Sequence, residues 1–246
     1  MVKAHLLVDG IFEVDRRIFL PESPASLYDG VAKSLLIIDG KEKILIDTGI
    51  GGVPEGSQFD ALRKMMKITR NSSQGTKHQL AELGIRPGEI TSVVNTHLHN
   101  AHCGCNNLFP DAQFYISREE FRAIDELMGD DPNQTAYIDE NFGRLKNVNR
   151  VKGRYNLTES VTIIPTPGHT MGHQSVVVKL KNYNLIYSGD VSPLKENLVT
   201  RTPMTGYDRK MIREQMKKLL KVENAKWIFS HDNSQLSLRQ AYVAAR

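Results

Sequence analysis

Four apolar runs in this sequence each end in a polar motif that contains histidine or aspartate, and this pattern limits the folds that the chain can adopt. Each run has the length and composition of a buried strand. Loops at strand ends are common functional sites because the strands hold them rigidly. We therefore expect the four strand ends to meet at one edge of a β-structure. The motifs occupy residues 97–102, 165–170, 188–190 and 230–232.

The first motif lies in the stretch THLHNAHCG, residues 96–104, which places three histidines within six positions. His97 and His99 are two residues apart, so on an extended chain both point to the same side. His102 follows a bend at which a new helix can start. Imidazole is a ligand for zinc, iron, nickel and copper. The spacing therefore predicts a metal site and not three unrelated core or surface histidines.

Strand and helix patterns occur in the same order twice along the chain, which predicts two packed sheets with helices outside. No linker rich in proline, glycine and serine divides residues 1–246, so we expect a single domain built from two sheet-plus-helix halves. The segment 129–156 has the weakest pattern and is predicted to be a loop or insertion near the mouth of the site. The predicted strands are 1–10, 34–39, 43–47, 92–95, 162–164, 175–180, 185–188 and 227–230. The predicted helices are 59–69, 74–83, 208–221 and 233–244.

Composition and charge exclude several classes of protein. The net charge is +4 and the isoelectric point about 9.0, but the densest basic residues, within 209–221, alternate with apolar residues as on one amphipathic helix. We therefore expect no nucleic-acid partner. No apolar run approaches the roughly 18 residues of a membrane span, and the first ten residues are too short and polar for a signal peptide. Cys103 and Cys105 lie too close in sequence to favour a disulfide, so we expect a cytoplasmic protein.

The ordered motifs resemble the signature of the metallo-β-lactamase superfamily, His-x-His-x-Asp-His followed by a further His, an Asp and a last His. Residues 45–49, LIDTG, resemble the early Asp-Thr-Gly turn of that family. The strings TPGHTMGHQS and SHD are most similar to the branch of N-acyl homoserine lactone lactonases and 4-pyridoxolactonase. The resemblance implies an α+β fold, the αββα four-layer sandwich. The residues that match the signature are His97, His99, His102, His169, Asp190 and His231.

The resemblance also implies how these residues divide between two metals. His97, His99 and His169 would hold one ion, and Asp190 would bridge to a second ion held by His102 and His231. In this arrangement Asp190 and His231 are also the catalytic candidates. Asp47 would support the site by fixing the orientation or tautomer of a ligand histidine. We expect zinc, with one well-bound ion and a weaker second one, while iron and manganese stay open as alternatives.

Two positions depart from the pattern of the family. Ala101 stands where the signature has its first aspartate, so the second metal loses an anionic ligand and the nucleophilic water loses a carrier for its proton. Pro193 stands where the lactonase branch has a tyrosine that assists the substrate carbonyl. A thiolate from Cys103 is a weak substitute as a ligand, since the family places none there.

The residues around the motifs have simpler interpretations. His173, four residues after His169, is in position to hydrogen-bond a ligand, and a structural role in the turn 172–174 is favoured over metal binding. Asp232, directly after His231, is predicted to cap the last helix.

The sequence therefore supports three hypotheses. The first is a zinc-dependent hydrolase of a lactone or related carboxylic ester or thioester, with a small-molecule substrate and an activity that Ala101 impairs. The second is a metal-binding member of the fold that is not catalytic and acts as a binding or regulatory module, for which Ala101 and Pro193 are the evidence. The third, a metallo-phosphodiesterase, rests on the basic isoelectric point. A homodimer is also open.

Overall fold

The computed structural model describes residues 2–70, 72–127 and 136–240. The strands are β1 Val2–Asp15, β2 Leu27–Asp39, β3 Glu42–Ile46, β4 Met66–Arg70, β5 Ser92–Val94, β6 Gln113–Ser117, β7 Val148–Val151, β8 Tyr155–Asn156, β9 Val161–Pro165, β10 Gln174–Lys179, β11 Asn184–Tyr187 and β12 Ala225–Ile228. The α-helices are α1 Asp60–Met65, α2 Ser72–Glu82, α3 Asn100–Cys103, α4 Arg118–Leu127, α5 Lys195–Thr200 and α6 Arg209–Leu219.

The strands form two sheets. A seven-stranded sheet has the order β4-β1-β2-β3-β5-β6-β7, and a five-stranded sheet has the order β12-β11-β10-β9-β8. In the first sheet, β3 and β5 are parallel and end at the same edge. In the second sheet, β9 and β11 are both antiparallel to β10, and β12 is parallel to β11. The carboxyl ends of β9, β11 and β12 therefore also share one edge.

Alternating side chains along the central strands show that each sheet is buried on both faces. On β3, Ile44 and Ile46 belong to the core cluster between the sheets, whereas Leu45 belongs to the cluster under the helices on the other face. On β11, Leu185 faces the inter-sheet cluster and Ile186 faces the outer one. This period of two is what a strand covered on both sides requires.

Helices cover both outer faces, which confirms the predicted αββα four-layer sandwich. Helices α2 and α4 cover the seven-stranded sheet, to whose outer cluster Leu80 and Ile124 belong. Helix α6 covers the other sheet with Ile212, Met216 and Leu219. Its start is capped by Asp208, whose side chain accepts a hydrogen bond from the backbone N–H of Met211,. The amphipathic helix predicted over 208–221 is therefore confirmed.

Three predicted elements were wrong in part. The helix predicted over 59–69 ends at Met65, because residues from Met66 pair with the edge of β1, where Ile68 lies opposite Phe12. Alternating apolar residues with a β-branched Ile suit a strand once such an edge is offered. The last predicted helix is a 3-10 helix over Asn233–Gln240, and residues 241–244 lie outside the described part.

The third correction concerns the segment predicted to be a loop, residues 129–156. Residues 129–135 lie outside the described part, but β7 and β8 fall within the remainder and lie at the edges of the two sheets. Edge strands bury only part of their surface, which explains why their hydrophobic pattern is weak.

The cluster between the sheets takes side chains from both halves of the chain, from Ala4 to Ile228. On this shared core we propose that residues 1–246 form a single domain. Among the described residues no helix is long and apolar enough to cross a membrane.

Candidate metal centre

The four polar motifs meet where the strand ends of the two sheets face each other. His97 and His99 lie on the loop after β5, and His102 lies on the short helix α3. His169, Asp190 and His231 follow β9, β11 and β12. The structure thus brings together all six residues predicted from the signature. Their convergence follows from the parallel order of these strands, which puts every motif at the same edge.

One group of potential ligands consists of His97, His99 and His169, whose ligand atoms all lie within 4.8 Å of one another. The Nε2 atom of His169 is 3.1 Å from Nδ1 of His99 and 3.4 Å from Oδ2 of Asp190. The Nε2 atoms of His97 and His99 are buried and have no hydrogen-bond partner among the described residues. A buried polar atom without a partner is costly, so Nε2 of His97 fits a metal ligand, whereas His99 faces the group through its Nδ1.

A second group consists of His102, His231 and Asp190. The Nε2 atoms of the two histidines are 3.1 Å apart, and each is 3.3 Å from Oδ1 of Asp190. The ligand atoms of His102 and Asp190 also lie within 4.8 Å of the ligand atom of His97. Asp190 therefore directs one carboxylate oxygen toward each group, which is the arrangement of a bridging ligand.

The donor atoms fit zinc by spacing and by chemistry. Four tetrahedral ligands at the usual zinc distances lie about 3.3–3.4 Å from one another, and five pairs of donor atoms around Asp190 and His169 are separated by 3.1–3.4 Å. Nδ1 of His169 and Nδ1 of His231 each donate to a backbone carbonyl at 3.0 Å, of Thr205 and Val31 respectively. A carbonyl only accepts, so each ring presents an unprotonated Nε2 to the centre.

Burial keeps the first group in the form that binds metal. Desolvation lowers the pKa of His97, His99 and His169, so these imidazoles are neutral at pH 7,. For His102 burial also acts to lower the pKa, but the carboxylates of Asp190 and Asp47 outweigh it and raise the pKa to about 10. Without metal, His102 is therefore a cation between two carboxylates.

Asp47 directly follows β3 and lies beside His102. It has a positive φ of 56°, a conformation that aspartate tolerates better than most residues. Its Oδ1 accepts from the backbone N–H of Thr96 at 2.7 Å, and its Oδ2 accepts from the Thr96 hydroxyl at 2.9 Å and is 2.7 Å from Nδ1 of His102. The carboxylate thus contacts a histidine of the second group, as the sequence predicted.

The two departures from the family signature also fall at the site. Ala101 is 7% exposed and lines the pocket beside His102 and Asp190, so no carboxylate reaches the second group from α3. Pro193 contributes only its carbonyl, which accepts from the backbone N–H of His231 at 3.0 Å. The Cys103 thiol donates to the carbonyl of Leu98 at 3.2 Å and packs in the apolar cluster under α2 and α4, away from the ligands.

A pocket that is partly open to solvent, with a cavity volume of about 90 Å³, leads to the ligands. Among the described residues that line it, Asp190 is the one carboxylate and there is no lysine or arginine. Apolar side chains form most of its wall. They are Phe12, Val14, Ile18, Phe19, Leu62, Met65, Met66, Ala101, Ala136 and Met204.

Several polar residues support the ligands, and of these Ser230 was not predicted from the sequence. Ser230 donates to Oδ1 of Asp190 at 2.7 Å. The backbone N–H of Asp190 donates at 2.9 Å to Nε2 of His173, whose pKa burial lowers to about 3. His173 therefore positions Asp190 through the backbone of that residue. The other ring nitrogen of His173, Nδ1, lies 3.1 Å from the carbonyl oxygen of Thr166. Asp232 accepts from the backbone N–H of Ser234 at 2.8 Å and so caps the last helix, as expected.

Glu120 is a further residue near the ligands that was not predicted from the sequence. It is fully buried on α4 and accepts hydrogen bonds from residues of three other segments. A signal for it exists in the sequence, because Glu120 shares a helix face with Ala123 and Ile124, and an acid on an apolar face calls for partners.

A four-layer sandwich with histidines and an aspartate gathered at its strand ends defines a class of metal-dependent hydrolases. The chain belongs to the metallo-beta-lactamase superfamily, which it matches over residues 27–231. The protein is therefore a metallo-hydrolase of this superfamily, and the resemblance inferred from the sequence is confirmed.

Individual proteins similar to this chain indicate the branch of the superfamily that it resembles. The chain is 25% identical over 221 residues to an N-acyl homoserine lactonase from Bacillus sp, which covers 87% of this chain and 86% of the relative. It is 34% identical over 144 residues to a probable metallo-hydrolase of Methanocaldococcus jannaschii, 58% of each chain. The solved structure of an N-acyl homoserine lactone hydrolase with N-hexanoyl-L-homoserine at its catalytic metal centre superposes with a TM-score of 0.82 and 23% identity, covering 96% of this chain and 95% of that one.

Proposed function

We propose that the protein is a zinc-dependent hydrolase that opens a lactone or cleaves a closely related carboxylic ester or thioester. The observation that carries the proposal is the arrangement around Asp190, which offers one oxygen to His169 and the other to His102 and His231. The N-acyl homoserine lactonases among its relatives support the lactone class.

The proposed ligands divide into a complete and an incomplete set. His97, His99 and His169 with Asp190 hold the first zinc, whereas His102 and His231 share Asp190 for the second. When bound, zinc supplies Lewis acidity that activates water and polarises a carbonyl. Because Ala101 leaves the second set without a carboxylate of its own, we expect one tightly held ion and a weaker second one.

The protein's own residues supply binding and orientation. The apolar wall of the pocket takes up the apolar part of the substrate and excludes water from the ligands,. Ser230 and His173 hold Asp190 in place, the former at a carboxylate oxygen and the latter at the backbone. Asp190 and His231 both line the pocket and are the proposed catalytic residues.

The decisive experiment is metal analysis combined with a substrate panel. Zinc content per chain is measured for the wild type, His99→Ala and His102→Ala, and lactone, thioester and phosphodiester hydrolysis is assayed with added zinc. We expect His99→Ala to lose most of the metal and the activity, and His102→Ala to retain roughly one equivalent. Equal metal loss in the two variants contradicts the assignment of the tighter site.

The panel also tests the alternatives. A protein that binds zinc but turns over no member of the panel acts as a binding module, for which Ala101 and Pro193 are the observations in favour. Phosphodiester cleavage is disfavoured because the described pocket lining contains no lysine or arginine to bind a phosphate,. The exposed basic residues of α6 lie on the outer layer of the sandwich.

We place this activity in the cytoplasm, which is supported by two buried cysteines, Cys103 and Cys105, that form no disulfide in the described part of the chain,. A small-molecule substrate is supported by the similar hydrolase structure that holds N-hexanoyl-L-homoserine at its metal centre. The homodimer stays a prediction that the mass of the protein in solution will test.

A further inference from the structure

Glu120 is a fully buried acid that belongs to neither group of ligands. Its carboxylate accepts hydrogen bonds from the backbone N–H of Leu98 at 3.0 Å, the hydroxyl of Tyr137 at 2.9 Å and the hydroxyl of Thr170 at 2.6 Å. The backbone N–H of Gly172 also hydrogen-bonds to it. Four donors from three segments therefore converge on one carboxylate.

Each of these donors is close to a ligand of the first group. Leu98 lies between His97 and His99 in the chain, and Thr170 follows His169 directly. The ring of Tyr137 packs edge-on against the ring of His99, with 4.6 Å between the ring centroids and 68° between the planes. Glu120 thus hydrogen-bonds to both loops that carry the first group. It also hydrogen-bonds to Tyr137, whose ring packs against His99.

These two loops come from different sheets. The loop of His97 and His99 follows β5 in the seven-stranded sheet, and the loop of His169 follows β9 in the five-stranded sheet. The distance between the histidines therefore depends on how the sheets pack and is not fixed by either sheet alone. Glu120 projects from α4, an element outside both loops, and bonds to each of them.

The close approach of the second loop to α4 is built into the sequence at Gly172. A Cβ atom at this position would lie 2.1 Å from the backbone nitrogen of Glu120. A residue with a side chain would push the loop away from α4, so the hydrogen bonds to Glu120 depend on glycine here.

A carboxylate suits this position better than any neutral group. It accepts at both oxygens, whereas an amide has one accepting oxygen and an NH₂ group that would face other donors. A buried carboxylate is tolerated only when it is well hydrogen-bonded; burial raises the pKa of Glu120, and the four donors offset part of that effect. Removing one accepting oxygen leaves two donors unpaired in the interior, next to the metal ligands.

We propose that Glu120 is a positioning residue that fixes the spacing between the two ligand loops of the first metal group. This inference rests on the proposed function in taking His97, His99 and His169 as metal ligands. Glu120 does not touch the metal or the substrate in this assignment. It acts through Leu98, Thr170 and Tyr137, by holding the ligand nitrogens at the separation that one ion requires.

The test compares Glu120→Gln with the matched control Glu119→Gln on the same helix turn. Glu119 is partly exposed and paired with Arg118 and Arg122. The dissociation constant for Zn²⁺ is measured by chelator competition, the visible spectrum is recorded with Co²⁺ in place of zinc, and thermal unfolding is followed without metal. We expect Glu120→Gln to bind the first ion about 10–100-fold more weakly with an altered Co²⁺ spectrum, and the control to match the wild type.

Tyr137→Phe is the second variant, since it removes one donor to Glu120 and keeps the ring against His99. We expect a smaller loss of affinity in the same direction, with a spectral change and the fold intact. If both variants bind Zn²⁺ and Co²⁺ as the wild type does and only melt earlier, or if Glu120→Gln does not fold and Tyr137→Phe leaves the spectrum unchanged, the inference is overturned. Failure of the wild type itself to bind either ion would instead refute the proposed function.

Discussion

At the scale of single residues, Ala101 has the largest consequence. It precedes His102 on α3 and lines the pocket. Its methyl group packs in an apolar cluster with Phe12 and Met204. Asn100 does not replace the missing carboxylate, because its amide donates to the carbonyl of Gly51 at 3.0 Å and accepts from Asn141 at 2.9 Å. The second group of ligands is therefore one anion short.

Restoring that anion should restore the second metal. Ala101→Asp places a carboxylate next to His102, so we expect zinc content to rise toward two per chain. Hydrolysis of a lactone or ester should increase at least about tenfold, which corresponds to about 1.4 kcal/mol in the activation barrier. Zinc stoichiometry and turnover of both forms are the measurements. No gain in either quantity would mean that position 101 is not the missing ligand and that the pocket has a different task.

Asp47 provides a second prediction at this scale. Asp47→Asn keeps the size of the side chain but removes the charge that raises the pKa of His102 and holds its ring. We expect metal affinity to fall about 10–100-fold, as for other partners of ligand histidines, while the protein stays folded. Zinc competition and a thermal melt distinguish the effects. Normal zinc affinity together with a large drop in melting temperature would make Asp47 a structural residue only.

At the scale of elements, local patterns predicted what depends on local sequence. The apolar runs of β3, β5, β10 and β11 and the amphipathic face of α6 were found where they were expected, since buried strands and helices impose periods of 2 and 3.6 on the sequence. The helix over 59–69 was wrong because Ile68 pairs with Phe12 at the edge of β1, 56 residues earlier in the chain, and such a distant partner is not visible in the local sequence.

For the site too, local sequence predicted only the features that depend on local sequence. The six converging side chains were predictable because each motif directly follows an apolar run. Ser230 and Glu120 were not, because their roles depend on contacts made across the fold. Glu120, for example, is 22 residues from Leu98 and 50 from Thr170 in sequence. Contacts at such separations are fixed only when the sheets and helices pack.

The close contact between α4 and the loop after β9 gives a prediction at the element scale. Gly172→Ala places a methyl group against the backbone of Glu120, so the loop must shift, at a cost of typically about 1–3 kcal/mol for such overpacking. We expect a lower melting temperature and weaker zinc binding. Gly52→Ala is the control, because a Cβ there meets nothing within 4 Å. Equal behaviour of the two variants would show that the loop is free to move without loss.

At the scale of the whole molecule, the fold buries a cluster of ionisable groups that metal ions would compensate. The sheets hold five histidine rings around Asp190, and the pKa of Asp190 lies well below its usual value because His102 and His231 outweigh the effect of burial. The histidines of the first group are held neutral by burial. The stability of the metal-free protein should therefore depend on pH in a direction that these shifts determine.

A histidine whose pKa falls on folding binds fewer protons in the folded chain than in the unfolded chain, between the folded pKa and 6.5. Since burial lowers the pKa of His173 to about 3, its contribution makes the metal-free protein less stable as the pH falls from 6.5 toward 3. His102 has the opposite sign, because its pKa is raised to about 10. Its stabilisation is complete below 6.5 and is lost as the pH rises through about 10.

We therefore expect the free energy of unfolding of the chelator-treated protein to fall between about pH 7 and pH 5, where the histidines with lowered pKa take up protons only on unfolding. His173→Gln keeps an acceptor for the backbone N–H of Asp190 but does not titrate, so its profile should be shallower than that of the wild type. His78→Gln, on the exposed surface of α2, should keep the wild-type slope. Urea unfolding across this range measures all three, and identical slopes would mean that His173 does not contribute to the acid sensitivity of the fold.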